Sequence, residues 1–303
     1  MEDRGPGARD RRARSTSALS HIGRRDLLAA AAFGGLIACS SKTAPPSAKQ
    51  AVRVVSTSPS MTEIVFALGQ GGSLVGRSRF CDFPPEALSI PDIGGFADPS
   101  VERILALSPT LVCGERGPAG PELPKALESH GVATFFPEMD DLSSIGRAIA
   151  ELGKRIDKAA EGERLAADLD RSVADVRQKT ASLPKPRVLF LFDFRPLIAA
   201  GPGSFPDELL SVAGANNVVQ AGGKYPRLGL EALFAADPDV IIDGSGHGEA
   251  SPTRRDVPAL ETLRAVRDGR IHALASSAAL RPGPRLGAGM AELARLIHGS
   301  SLP

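Results

Sequence analysis

Two aromatic residues and two glutamates recur at matching places in the chain. Glu102 lies in "FADPSVERILALSPTLV" (96–112) and Glu231 in "YPRLGLEALFAADPDVIID" (225–243). Phe96 stands six residues before Glu102, and Tyr225 stands six before Glu231. Pro109 and Pro238 each follow by seven, and a short β-branched run comes next. An aromatic ring offers a stacking face, and an exposed glutamate offers a fixed negative charge. The chemistry open to this set is recognition rather than bond-making.

The local pattern says how these residues are held. Val101, Ile104 and Leu105 share one helical face, which turns Glu102 outward, and Leu230, Leu233 and Phe234 do the same for Glu231. An acid in a first helical turn complements the helix dipole by about 0.3–1 kcal/mol, which suffices for either glutamate alone. Placed twice, the pair gives two fixed charges on one surface, a docking pattern for a partner with two basic patches. An aromatic before a helix can staple onto its own core. As a pair, Phe96 and Tyr225 point instead to a shared cleft, because open α/β sheets bind ligands outside the carboxyl ends of their strands.

Stepping outward, short buried strands alternate with helices. Strands are expected at 53–57, 73–77, 110–113 and 133–136, and again at 187–192, 239–243 and 270–274. Helices are expected at 60–68, 100–107 and 124–130, then at 206–213, 230–236, 259–267 and 286–298. Ser60 and Glu63 have capping-box spacing, and Ser204 sets up a similar start three residues before Asp207. Between the two sets, residues 142–156 keep helical spacing, and 158–183 read as one long helix ended by Pro184 and Pro186. The expected fold class is α/β: two Rossmann-like lobes joined by a single long helix, with a ligand cleft between them. The boundaries are an N-terminal lobe at 52–156, a connecting helix at 157–185 and a C-terminal lobe at 186–303.

The first 50 residues are a different text. Arg24-Arg25 precede an apolar run from Leu27 to Ile37 that ends at Leu36-Ile37-Ala38-Cys39. A basic region, an apolar run of about 11 residues and small residues before a cleavage point read as an export signal. The run is shorter than the roughly 20 residues a spanning helix needs. The arginine pair resembles a twin-arginine signal. Residues 1–38 are read as signal, with Cys39 as the lipidated residue of a lipobox, and 39–51 as a tether. An ordinary secretory signal with an incidental cysteine is the alternative.

The whole chain has 303 residues, a formal charge of +1, one tyrosine and no tryptophan. Nothing in that balance supports nucleic-acid binding. No P-loop, G-x-S-x-G or H-E-x-x-H is present, so no enzyme class is indicated. "GSGHGE" (244–249) brings a serine near a histidine, but a loop after a strand explains it. Beyond the signal, His130, His247, His272 and His298 are scattered, which gives no metal site. Tyr225 or His247 would be the residues to ligate a haem iron. Cys81 and Cys113 form either a disulfide or two separate thiols.

"RVVSTSPSMTEIVFALG", "RFCDFPPEA", "IPDIGGFADPSVERILALSPTLV" and "GLEALFAADPDVII" resemble periplasmic binding proteins whose lobes are joined by one rigid helix. These are the substrate-capturing subunits of ABC importers for cobalamin, ferric siderophores and haem. The resemblance runs from about Val52 to the C-terminus and is nearest to the cobalamin-binding branch. It implies a lipid-anchored, extracytoplasmic monomer that carries a chelate to a permease dimer, without a cofactor and without enzymatic chemistry. It places Glu102 and Glu231 where the family docks onto permease arginines. It also places Phe96 and Tyr225 at pocket tryptophan positions and Phe80 at a pocket tyrosine. The chain departs from that branch near its last strand, where "SSAALRPGPR" offers Arg281 and Arg285. With Arg116, Arg195 and Arg227 these suggest an anionic ligand, such as a carboxylate-rich chelate or haem. An interaction lipoprotein with an empty cleft is the remaining reading.

Overall fold

A computed structural model describes residues 51–245 and 258–302. The segment read as an export signal, Cys39, residues 39–50 of the expected tether and His247 lie outside the described residues. Two parallel sheets form the frame. The first has the order β2 (Leu74–Arg77), β1 (Val54–Ser56), β3 (Leu111–Cys113) and β4 (Ala133–Phe135), with Val54 opposite Leu111 and Ser56 opposite Cys113. The second is centred on β5 (Arg187–Phe194), which pairs in parallel with β8 (Val240–Asp243) and, through two residues, with β7 (Asn216–Asn217); β9 (Ile271–Ala273) lies beyond β8. The sheets thus repeat one plan, with β5 in the place of β1. One addition was not legible. β5 runs on to Phe194 and folds back into the antiparallel β6 (Leu197–Ala199).

The helices in chain order are α1 (Pro59–Ala67), α2 (Val101–Ala106), α3 (Glu122–Ser129), α4 (Leu142–Arg155), α5 (Ala159–Thr180), α6 (Phe205–Val212), α7 (Leu230–Ala236), α8 (Arg264–Arg267) and α9 (Leu286–His298). The connecting helix α5 has 22 residues, about 33 Å at 1.5 Å per residue. It is shorter than the expected 157–185. Asp157 takes a positive φ of 60° before it, and only Thr180 to Leu183 form a closing turn after it. The 259–267 helix resolves into a 3-10 turn at Pro258–Thr262 and α8.

Alternation along the strands explains how the lobes are bound together. Val54 faces one core and Val55 another, and likewise Val188 and Phe190 against Leu189 and Leu191. The inner faces of both sheets share one continuous core. Met61 and Ile149 from the first lobe, Leu169 and Val176 from α5, and Leu209 and Met290 from the second all belong to it. The outer faces have separate cores, covered in part by Ile104 of α2 and Leu233 of α7.

Two local expectations are corrected. α1 starts at Pro59, one residue before Ser60, and its N-cap is Ser58, whose Oγ accepts the Met61 N–H at 3.3 Å. Ser60 and Glu63 therefore make no capping box, and Glu63 is buried. On α7, Leu233 is fully buried, but Leu230 and Phe234 are 42% and 40% exposed. The helix rests on one residue instead of a three-residue face.

Candidate binding cleft

A cleft of about 600 Å³ opens where the carboxyl ends of the two sheets face each other. From the first lobe come the start of α1 and the segments after β2, β3 and β4; from the second come the end of β5, the start of α6 and the segments after β7, β8 and β9. A glycine follows the strand at the same place in each lobe. A Cβ on Gly114, after β3, would collide with Thr57 Oγ1 and the Phe136 ring. One on Gly244, after β8, would collide with Leu280 and the Leu191 carbonyl. Only a residue without a side chain lets the backbone pass its neighbours so closely just after each strand.

Phe80, Phe96 and Tyr225 all line the cleft, on opposing sides. Phe80 is 54% and Tyr225 46% exposed, so each ring keeps a face open. Phe192 and Phe205 complete the aromatic lining, and Phe192 meets Tyr225 edge-on at 5.5 Å between centroids. Sequence reasoning missed both, because each sits inside a regular element where an aromatic reads as core. Burial raises the Tyr225 phenol pKa well above its usual range, and the negative charges of Asp140 and Glu115 push it further.

The arginines do not form the anion trap expected of them. Arg281 lines the cleft, but its Nη1 donates to Glu63 Oε1 at 3.0 Å and to Asp82 Oδ1 at 2.6 Å. Arg285 stands behind the lining. It donates from Nε to Glu63 Oε2 at 2.7 Å and from Nη2 to Glu63 Oε1 at 2.6 Å, and its guanidinium lies 3.9 Å above the Phe83 ring. Arg116 lines the cleft and pairs with Glu138 at 3.3 Å; Arg195 and Arg227 are not among the lining residues.

Glu115, two residues past β3, also went unnoticed in the sequence. It is half-buried in the lining. Burial raises its pKa above the usual glutamate range, the Ser60 and Ser58 hydroxyls pull it back, Asp140 raises it and Arg281 lowers it.

Glu102 and Glu231 are both exposed, in the first turns of α2 and α7. α2 precedes β3 and α7 precedes β8, the equivalent strands of the two sheets. A helix that leads into a parallel strand starts at the strand's carboxyl end. Each glutamate therefore stands at the end of its sheet where the cleft opens.

Cys81 and Cys113 are free, buried thiols. Burial pushes Cys113 up to about 12 and raises Cys81 as well. His130 bonds the Ala126 carbonyl through Nδ1 and His298 the Ala213 carbonyl through Nε2, both at 2.8 Å. His272 lies half-buried on β9, where burial and then Arg270 lower its pKa. Among the described residues no cluster of three or more His, Cys, Asp or Glu is placed to hold a metal. No described helix is long and apolar enough to cross a membrane.

Comparison with known proteins agrees with this architecture. A vitamin B12-binding protein of Vibrio cholerae serotype O1 is 30% identical over 257 residues, 82% of this chain and 92% of that one. The structure of the periplasmic vitamin B12-binding protein BtuF of Vibrio cholerae superposes with a TM-score of 0.71 at 26% identity, covering 82% of this chain and 96% of the other. The periplasmic haem-binding protein RhuT of Roseiflexus sp. RS-1, in its apo form, superposes with a TM-score of 0.74 at 29% identity, covering 83% and 99%. The sequence profile for periplasmic binding proteins matches residues 54–278, and the chain belongs to that family.

Proposed function

We propose that the chain is the ligand-capturing component of an ABC importer for cobalamin or a related corrinoid. The observation that carries this reading is an aromatic-lined cleft whose cations are already paired. Five aromatic rings supply flat apolar area, while Arg116 and Arg281 are each held by a carboxylate. Such a lining suits a large, flat ligand with a periphery of neutral amides. The vitamin B12-binding relatives support the same choice. Glu102 and Glu231 would dock the loaded protein onto the permease dimer, one contact per lobe. Cys39 would carry the lipid that tethers a monomer outside the cytoplasmic membrane. No reaction is performed on the ligand.

Haem is the second reading, because a haem-binding protein shares the fold and Tyr225 places a phenol in the cleft. The electrostatics weigh against it. Burial, Asp140 and Glu115 all disfavour the phenolate form of Tyr225, and no described cation of the lining is placed to stabilise it. The propionates would also meet no unpaired cation among the described lining residues.

The test is co-elution. Residues 40–303 are incubated with cyanocobalamin, haemin and a panel of ferric siderophores together, then passed through a desalting column. Retention of the corrinoid absorbance supports the reading. Retention of haem or siderophore absorbance without corrinoid replaces it with the second reading or its siderophore counterpart.

A further inference from the structure

The charges of the cleft cancel in groups, with one exception. Arg116 pairs with Glu138 at 3.3 Å. Asp140 pairs with Lys224, which reaches across from the other lobe, at 2.5 Å. Arg281 and Arg285 together meet Glu63 and Asp82. Glu115 has no cation within ion-pair distance among the described residues, and it shares the lining with Ser60 at the start of α1.

We propose that Glu115 is the specificity-determining residue of the cleft, accepting hydrogen bonds from ligands that present amide N–H groups and turning away ligands that present carboxylates. The inference rests on the corrinoid reading for the identity of the amides, but the discrimination itself follows from charge. A carboxylate acceptor has no proton to donate, so it pairs with an N–H and not with a second carboxylate. In a half-buried site a like charge is weakly screened and correspondingly costly. Burial raises the Glu115 pKa, so the discrimination holds where the carboxyl is ionised and fades as it takes up a proton. Tyr225 lines the same cleft from the facing lobe, so a ligand stacked on its ring lies in the space that Glu115 borders.

Two matched ligand pairs test this independently of which macrocycle binds. One pair is cyanocobalamin and its monocarboxylate, in which a single peripheral amide is hydrolysed. The other is haem dimethyl ester and haemin. The mature chain, Glu115→Gln and Glu115→Asp are compared by calorimetry, and the melting temperature of each variant checks folding. The expected result is that the wild type favours the uncharged member of whichever pair binds by about tenfold, the scale of one like-charge contact. Glu115→Gln should reduce that preference to within about threefold, and Glu115→Asp should keep it. An unchanged ratio in Glu115→Gln overturns the proposal, even if cobalamin binds tightly. Binding of the haem pair alone overturns the corrinoid reading and leaves the ratio as the measure of Glu115. A chain that binds neither pair contradicts both.

Discussion

Arg285 on the second lobe grips Glu63 on the first through two hydrogen bonds, at 2.7 and 2.6 Å, 222 positions apart in sequence. The Glu63 side chain is 1% exposed, Arg285 21% and Arg281 11%. This ion group, with the shared inner core and α5, fixes one lobe against the other.

Removing Glu63 leaves two guanidinium groups poorly solvated and without their common partner. Glu63→Ala should destabilise the fold by about 3 kcal/mol, the lower end for breaking a buried pair because Arg285 keeps some water. Urea unfolding checks the value, and a change below about 0.5 kcal/mol, typical of an exposed pair, would contradict it.

Glu115 carries a pH signature of the opposite sign to a salt-bridged acid. Its folded-state pKa is raised, so the folded chain binds the extra proton more readily than the unfolded one. The group therefore costs stability above the usual glutamate range and ceases to do so below it. Glu115→Gln should raise the melting temperature at neutral pH, and the gain should shrink as the pH falls into that range. A gain independent of pH would show that the carboxyl is not destabilised by burial.

Glu102 and Glu231 are exposed and lie outside the cleft lining. Glu102→Ala/Glu231→Ala should leave ligand affinity within about twofold while abolishing uptake in a cell that depends on the importer. Loss of affinity in the double variant would place the glutamates in ligand binding instead.

Cys81 and Cys113 should be silent in the native protein, because burial suppresses both thiolates and holds Cys113 at about 12. A disulfide-exchange reagent added to residues 40–303 at neutral pH should register two thiols only after denaturant is added. Rapid reaction of the native chain would show that this part of the first lobe opens.

The sequence was most legible where structure is local. Val54–Ser56 and Val240–Asp243 are short β-branched runs that parallel sheets bury on both faces, and the segments around Glu102 and Glu231 occupy equivalent places as their repeat suggested. Phe80, Phe96 and Tyr225 reach the cleft because loops after strand ends open toward it. Long-range pairing was not legible. Glu63 has capping spacing from Ser60, yet its partners come from the far end of the chain, and the same pairing withdraws Arg285 from the cleft. Phe192 and Phe205 resemble core residues in any local window. Glu115 sits where the strand-end rule that found Phe96 would also have found it.

The most direct test of the account is calorimetric titration of residues 40–303 with cyanocobalamin. The account predicts saturable one-to-one binding that weakens on Phe80→Ala and on Tyr225→Ala, since each removes a stacking face. Absence of binding by a folded chain, or binding indifferent to both aromatic substitutions, would contradict it.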